Sequence, residues 1–184
     1  MQMMETKEEI IAKANSMSPF LKMEYLEKCA MRVKDTDILR YCYGELTKLY
    51  EERIMYSDAL KYLAKLQGLA TFFHDKFQLY EKEIDISIKA GNYERVADAY
   101  KSAIKQVSEI DATNLRRKII KWYQLEAQKF EQTNKQVSAL RVYERLIPLL
   151  TDTERNEAKK KLLVIYKKLG KVKESIELEN GMYR

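Results

Sequence analysis

The chain has 184 residues, 46% of them hydrophobic and 34% charged, with a formal net charge of +6 and only five glycines and two prolines. So few turn-formers exclude an all-β fold, which needs a reversal about every 8–12 residues, and the apolar share supports a buried core under a heavily solvated exterior. The modest positive charge admits an acidic partner but falls short of the density of a dedicated nucleic-acid binder.

At the N-terminus, Thr6-Lys7-Glu8-Glu9 reads as a capping box opening a short helix. It carries no apolar stretch of the kind that marks a secretory leader. Nowhere does an apolar run approach the roughly 18–20 residues needed to cross a bilayer. A soluble, cytoplasmic chain with no membrane insertion is the expectation. Ser18-Pro19 opens the next helix, with Pro at the first helical position where its missing N–H costs nothing. Leu21, Tyr25, Leu26, Cys29 and Val33 give that helix an apolar stripe. These two helices form a first, weaker pair over residues 5–34, and Asp35-Thr36-Asp37 breaks before the next helix. Cys29 and Cys42 both fall among apolar helical positions, which predicts buried free thiols and not a disulfide framework.

The second pair spans residues 36–67. Tyr43, Leu46 and Tyr50 share one helix face, Arg53–Ser57 makes a turn, and Ala59, Leu63 and Leu66 follow at helical spacing. Ser57 is a candidate N-cap for that second helix. Gly68–Asp75 reads as a link in which Phe72 and Phe73 pack between layers. In the third pair, residues 76–107, Tyr80, Ile84 and Ile88 lead into Gly91, which can take a positive φ, and Asn92, which can cap the next helix. Tyr93 plugs the joint, and Val96, Tyr100 and Ala103 form the inward stripe.

Ser108–Asn114 reads as the longest interruption. The fourth pair, residues 115–150, carries Trp122, Tyr123, Ala127 and Phe130, a turn at Gln132–Gln136, then Ala139, Tyr143 and Leu146. Thr151-Asp152-Thr153-Glu154 is another capping box. It opens the last pair, residues 152–184, with Leu162, Leu163, Tyr166 and Leu169 before Gly170 and Ser175.

The aromatic–turn–small–aromatic series of Tyr50 and Ala59, of Gly91, Tyr93 and Tyr100, of Ala139 and Tyr143, and of Tyr166 and Gly170 resembles the tetratricopeptide repeat. The small or short residues Ala59, Val96, Ala139 and Ser175 stand where two helices must cross closely, 37, 43 and 36 residues apart. The family period is about 34 residues, so these repeats are stretched, in the style of the long-helix arrays of SNAP-type attachment proteins. The resemblance covers residues 36–180 and implies one right-handed α-solenoid over residues 1–184, with about nine or ten helices in antiparallel pairs. Such a solenoid presents its first helices on a concave face. Lys48, Glu51, Lys82, Asp85, Lys89, Gln128 and Glu131 are the exposed groups expected there.

Nothing in the sequence assembles an active site. The single histidine, His74, stands beside Phe72, Phe73 and Asp75, where a loop or helix-start role suffices. One His and two separated Cys cannot supply the roughly four ligands of a zinc site. The five scattered glycines make no phosphate-cradling loop. Carboxylate pairs such as Glu8/Glu9 and Glu51/Glu52 alternate with Lys at helical spacing, as solvated faces do. The expectation is therefore a non-catalytic chain without cofactor or metal, a scaffold or adaptor for another protein's helix or extended segment. A regulatory or assembly subunit of a larger complex is the neighbouring reading.

One stretch is strongly basic. From Arg155 to Lys173 the residues Arg155, Lys159, Lys160, Lys161, Lys167, Lys168, Lys171 and Lys173 face a single Glu157. Solubilising end cap, contact for an acidic partner and nucleic-acid patch all remain open for it. The family's clamp for chaperone C-terminal carboxylates uses Lys and Asn on successive inner helices. Here the matching positions are Gly44, Lys48, Lys82, Lys121 and Leu125, without asparagine, which argues against that ligand. Oligomeric state is open, with Met1, Met3, Met4, Met182 and Tyr183 as apolar groups that an oligomer would cover.

Overall fold

The computed structural model describes residues 6–182, the side chains of Gln106 and Met182 excepted; the terminal side chains considered for self-association lie outside that set. Among the described residues all regular structure is helical. In order it comprises α1 (Lys7–Asn15), α2 (Pro19–Arg32), α3 (Thr36–Glu52), α4 (Tyr56–Leu69), α5 (Phe73–Lys89), α6 (Tyr93–Ala103), α7 (Glu109–Gln132), α8 (Gln136–Leu146), α9 (Asp152–Lys168) and α10 (Val172–Met182). Short 3₁₀ turns extend α6 over Ile104–Gln106 and α8 over Ile147–Leu149.

The helices divide into two compact units, Met1–Ala90 and Gly91–Arg184. The division falls inside the third predicted pair, placing α5 in the first unit and α6 in the second.

In the first unit α3 packs along α4, α2 against α3, and α4 against α5. Their apolar faces merge into one core in which Leu26, Cys42, Leu46, Leu63 and Ile86 are fully enclosed. Each of these leucines, and Ile86, contributes about 1.5–3 kcal/mol relative to exposure. The capping box of α1 is formed: Thr6 Oγ1 accepts from Glu9 N, and Glu9 Oε2 accepts from Thr6 N at 2.7 Å. Pro19 begins α2 as expected, but Leu21 is exposed and the buried stripe is Met23, Leu26 and Cys29. Asp35 caps α3 through its carboxylate, which accepts from Asp37 N and Ile38 N.

In the second unit α7 packs on α8, α8 on α9, and α9 on α10. Leu115, Ile119 and Tyr123 from α7, Val142, Tyr143 and Leu146 from α8, and Leu162 and Ile165 from α9 are buried. Thr151 and Glu154 form the second expected capping box at the head of α9.

Helix lengths recur along the chain. α2 and α4 each span 14 residues, and the 11 residues of α6 or of α8 plus a 3-residue 3₁₀ turn reach the same length. First helices α3, α5 and α9 are 17 residues long, whereas α7 has 24. Nearly the whole excess of the 43-residue step over the 36- and 37-residue steps therefore lies inside α7. An added seven residues are close to two helical turns, so the apolar stripe keeps its phase.

The turn from first to second helix is also shared. A residue of positive φ stands two positions before the start of each of α4, α6, α8 and α10: Ile54 (62°), Gly91 (70°), Asn134 (55°) and Gly170 (68°). In three of these turns the next amide reaches back to close the helix, as Met55 N→Tyr50 O, Lys135 N→Phe130 O and Lys171 N→Tyr166 O, each 2.9 Å. This is a Schellman-type closure, and it satisfies carbonyls that a helix end otherwise leaves open. Ala59, Val96, Ala139 and Ser175, each the fourth residue of its helix, are all buried.

Three sequence expectations are corrected. Ser57 does not cap α4; the N-cap is Met55, without a side-chain bond, because the left-handed Ile54 starts the helix earlier. Phe72 is 72% exposed at the N-cap of α5 and fills no interlayer space, and helix occupies all but 70–72 of the expected link. Ser108–Asn114 is not a break. Ser108 caps α7, accepting from Asp111 N at 3.1 Å, and Glu109 and Asp111 sit in the first turn, where the helix dipole favours acids.

Candidate functional site

The expected concave-face residues fall into two groups, one in each unit. In the first, Lys82, Asp85 and Lys89 lie at i, i+3 and i+7 on α5 and so share a face. Glu51 near the end of α3 meets them: its carboxylate is 2.6 Å from Lys82 Nζ and 2.9 Å from Lys89 Nζ, and Lys89 also holds Asp85 at 2.8 Å. Burial alone would raise Glu51, but the bonds from Lys82 and Lys89 outweigh it and hold the carboxyl below its usual range. Burial would likewise lower Lys89, and Asp85 and Glu51 reverse that, so its ammonium is raised. Lys48 lies 2.9 Å from Glu45, which also takes Lys22 of α2 at 2.7 Å. The four-member cluster of two cations and two anions is internally neutral. It stitches α3 to α5, and a partner docking there would compete with pairs already made.

The second unit differs. Gln124 and Gln128 of α7 and Glu154, Glu157 and Lys161 of α9 line a cleft of about 300 Å³ floored by Tyr143 and Leu146. A smaller hollow of about 200 Å³ continues from Lys161 past Glu131, Val164 and Lys168. Glu131 anchors the α7 side. It accepts a short hydrogen bond from Tyr143 Oη, and its other oxygen stands 3.8 Å from Lys161 Nζ. Burial, and then Glu131, push the Tyr143 phenol up, so it remains a donor. The cleft thus has an apolar floor and walls that pass from acidic (Glu154, Glu157) to basic (Lys161, Lys168) along α9. That order matches the helix dipole, with acids in the first turn and lysines in the last.

The basic residues do not form one unpaired patch. Lys161 and Lys168 line the hollow beside α7, while Lys167 reaches Glu179 of α10 at 3.5 Å. Arg155 binds Asp152 at 3.1 Å and the Leu150 carbonyl at 2.9 Å, and Lys171 binds Glu174 at 3.2 Å. Lys160 and Lys173 are exposed and Lys159 half-buried.

Several groups of the two clusters carry no joint signal in the sequence. The sequence marks Glu154 as a capping-box acid and Glu157 as the lone acid of the basic stretch, and only the cleft gives them a joint position. In the first unit, Glu27 of α2 accepts from both Tyr50 Oη and Tyr62 Oη at 2.7 Å, and the two rings stack with centroids 5.5 Å apart. Burial, then Glu27, push Tyr50 up to about 12. Lys65 lies over Tyr62 at 5.0 Å and over Tyr43 at 5.4 Å. Nothing at the level of one helix announces such a clamp, because its members come from α2, α3 and α4.

His74 lies in the first turn of α5 with its Nε2 2.9 Å from the Gln78 amide nitrogen. Among the described residues no group of three or more His, Cys, Asp or Glu is placed to hold a metal. Cys29 and Cys42 are buried free thiols, and burial, then Cys29, push Cys42 up to about 12. Such a thiol carries almost no thiolate at neutral pH and is a poor nucleophile. Among the described residues no helix is long and apolar enough to cross a membrane.

No protein-family model matches the chain, and a search of curated proteins returns no match. Among solved structures, the crystal structure of BtubC (BKLC) from P. vanneervenii is similar, with a TM-score of 0.42 and 14% identity over 96% of this chain and 78% of that one.

Proposed function

We propose that this chain is a non-catalytic, tetratricopeptide-like scaffold that holds a segment of a partner protein, helical or extended, in the α7–α9 cleft. As such it would be an α-solenoid working in the cytoplasm as an adaptor or as an assembly subunit of a larger complex. One observation carries the reading. The cleft joins an apolar floor, Tyr143 and Leu146, to walls of opposite charge whose cationic end is only loosely held, Lys161 standing 3.8 Å from its nearest acid. Recurrence of the 14-residue second helix, the left-handed turn and the buried small residue supports the repeat assignment.

The partner that fits puts an apolar side chain on Tyr143, a basic group beside Glu154 and Glu157, and an acidic one beside Lys161 and Lys168. Affinity then comes from the desolvated anchor and orientation from the charge order. The neutral, self-paired cluster of Glu51, Lys82, Asp85 and Lys89 makes the first unit's face a brace for α3 and α5 instead.

The test is quantitative affinity capture with tagged wild type and with the Lys161→Glu/Lys168→Glu double variant, each with and without nuclease. The expected result is a protein partner that survives nuclease and falls at least about tenfold in the variant, as reversal of two rim charges allows. Equal capture by the variant would overturn the cleft. A partner that vanishes with nuclease, with binding lost steeply between about 50 and 200 mM salt, would replace it with nucleic-acid binding.

A further inference from the structure

A second concavity in the Gly91–Arg184 unit has different chemistry. Helices α6, α7 and α8 line an open pocket of about 420 Å³ whose walls include Tyr93, Tyr100, Ile119 and Tyr123 and whose charged members are Arg116 and Arg145. On α8 it uses the face of Arg145, whereas Tyr143 and Leu146 serve the α7–α9 cleft. Its volume falls in the range of about 300–1,000 Å³ typical of small-molecule sites, as does its make-up of apolar and aromatic walls with a few polar groups.

The cations are poised and not consumed. Arg116 donates from Nη2 to the Leu149 carbonyl at 3.1 Å, which fixes its guanidinium at the pocket edge. Arg145 has no acidic partner among the described residues, and its head is exposed. Arg141, one turn earlier on α8, adds a third positive charge near Tyr93. No carboxylate lines the pocket. Burial, then the neighbouring Glu126 carboxylate, raise Tyr93 against the pull of Arg141 and Arg145, and burial, then Tyr93, push Tyr123 up to about 12. An apolar chamber under a rim of guanidiniums is complementary to a molecule with a hydrophobic body and one anionic head, since a guanidinium offers forked donors to a carboxylate or sulfonate.

We propose that this pocket binds a small amphiphilic anion, an aromatic or alkyl carboxylate or sulfonate. Its apolar body lies against Tyr100 and Tyr123, and its head meets Arg145 and Arg116. The site is independent of the protein-holding cleft and stands whether or not that reading does.

Titration calorimetry of the full chain with 2-naphthoate as the probe tests it. The expected result is saturable one-to-one binding at about 10–100 μM, within the ligand-efficiency range of small ligands. The neutral analogue 2-naphthalenemethanol should bind at least about tenfold more weakly, because it forgoes the charge-assisted bonds. Arg145→Gln should weaken naphthoate by at least about tenfold with an unchanged melting temperature. Ala97 lines the pocket but is itself exposed, so Ala97→Trp fills the space without entering the core and should abolish binding. Absence of binding at 1 mM probe, equal affinity for the neutral analogue, or undiminished binding by a folded Ala97→Trp or Arg145→Gln protein would overturn the proposal.

Discussion

Ile54→Gly should stabilise the protein. Ile54 holds φ at 62°, a region that costs an L-residue about 1–2 kcal/mol and that suits a β-branched side chain worst. Its side chain recovers little, being 71% exposed. Glycine removes the strain but gives the unfolded chain about 0.5–1 kcal/mol of extra backbone entropy. The net gain is about 1 kcal/mol, with the closing bond Met55 N→Tyr50 O kept. For a chain of this size that raises Tm by about 2–4 °C, readable by circular dichroism melts and confirmed by urea denaturation with unchanged m. Two controls share the geometry. Asn134→Gly should gain less, because Asn tolerates φ of 55°, and Gly91→Ala should lose about 1 kcal/mol. No atom lies within 4 Å of a Cβ at Gly91, so the whole of that loss is backbone strain. Destabilisation by Ile54→Gly with an unchanged m-value would mean instead that the isoleucine side chain is worth more than the strain in its backbone.

Other outcomes follow from the same contacts. Glu27→Ala should cost about 2–3 kcal/mol in a denaturant melt, because it strands the Tyr50 and Tyr62 hydroxyls together; loss below about 0.5 kcal/mol would contradict the clamp. Glu51→Gln should matter only while Glu51 is ionised. Its folded pKa is lowered, so its contribution is full above the ordinary carboxylate value of about 4.3 and fades as pH falls through the folded value. The wild-type advantage should hold from about pH 5 upward and vanish in stronger acid, and a gap that widens in acid would be the wrong sign. Lys89, raised instead, keeps its share below about pH 10.4 and loses it above its folded value. Cys42 should react with a thiol-exchange reagent only as the protein unfolds, so native-state labelling as fast as that of a small thiol would contradict its burial.

The fold was legible wherever one helix carries its own signal. Capping boxes at Thr6 and Thr151, the proline start of α2, the Gly91 and Gly170 turns and the 3.6-residue stripes place most boundaries within a few residues. Ile54 was not legible as a left-handed residue, because its type argues against the conformation that the turn imposes. The start of α7 was hidden for the opposite reason: Ser108, Asp111 and Asn114 have the residue types of a loop, yet Ser108 acts as a cap and the acids meet the dipole. Phe72 was assigned to packing by its hydrophobicity, although it falls at a helix N-cap directed to solvent.

Site residues were legible only in part. Spacing put Lys82, Asp85 and Lys89 on one face, but that Glu51 neutralises them depends on how α3 lies against α5. The lysine run of α9 was plain, while its division between Glu131 and Glu179 depends on three helices meeting. The arginine-rimmed pocket leaves no mark in any one segment, since its tyrosines and arginines come from α6, α7 and α8.

The central claim, that a partner segment lies in the α7–α9 cleft, is tested most directly by amide hydrogen exchange on the captured complex against the free chain. Added protection is expected only in peptides covering residues 124–131 of α7 and 152–168 of α9, with α3 and α5 unchanged. Added protection on α3 and α5 with none on α7 and α9 would contradict it.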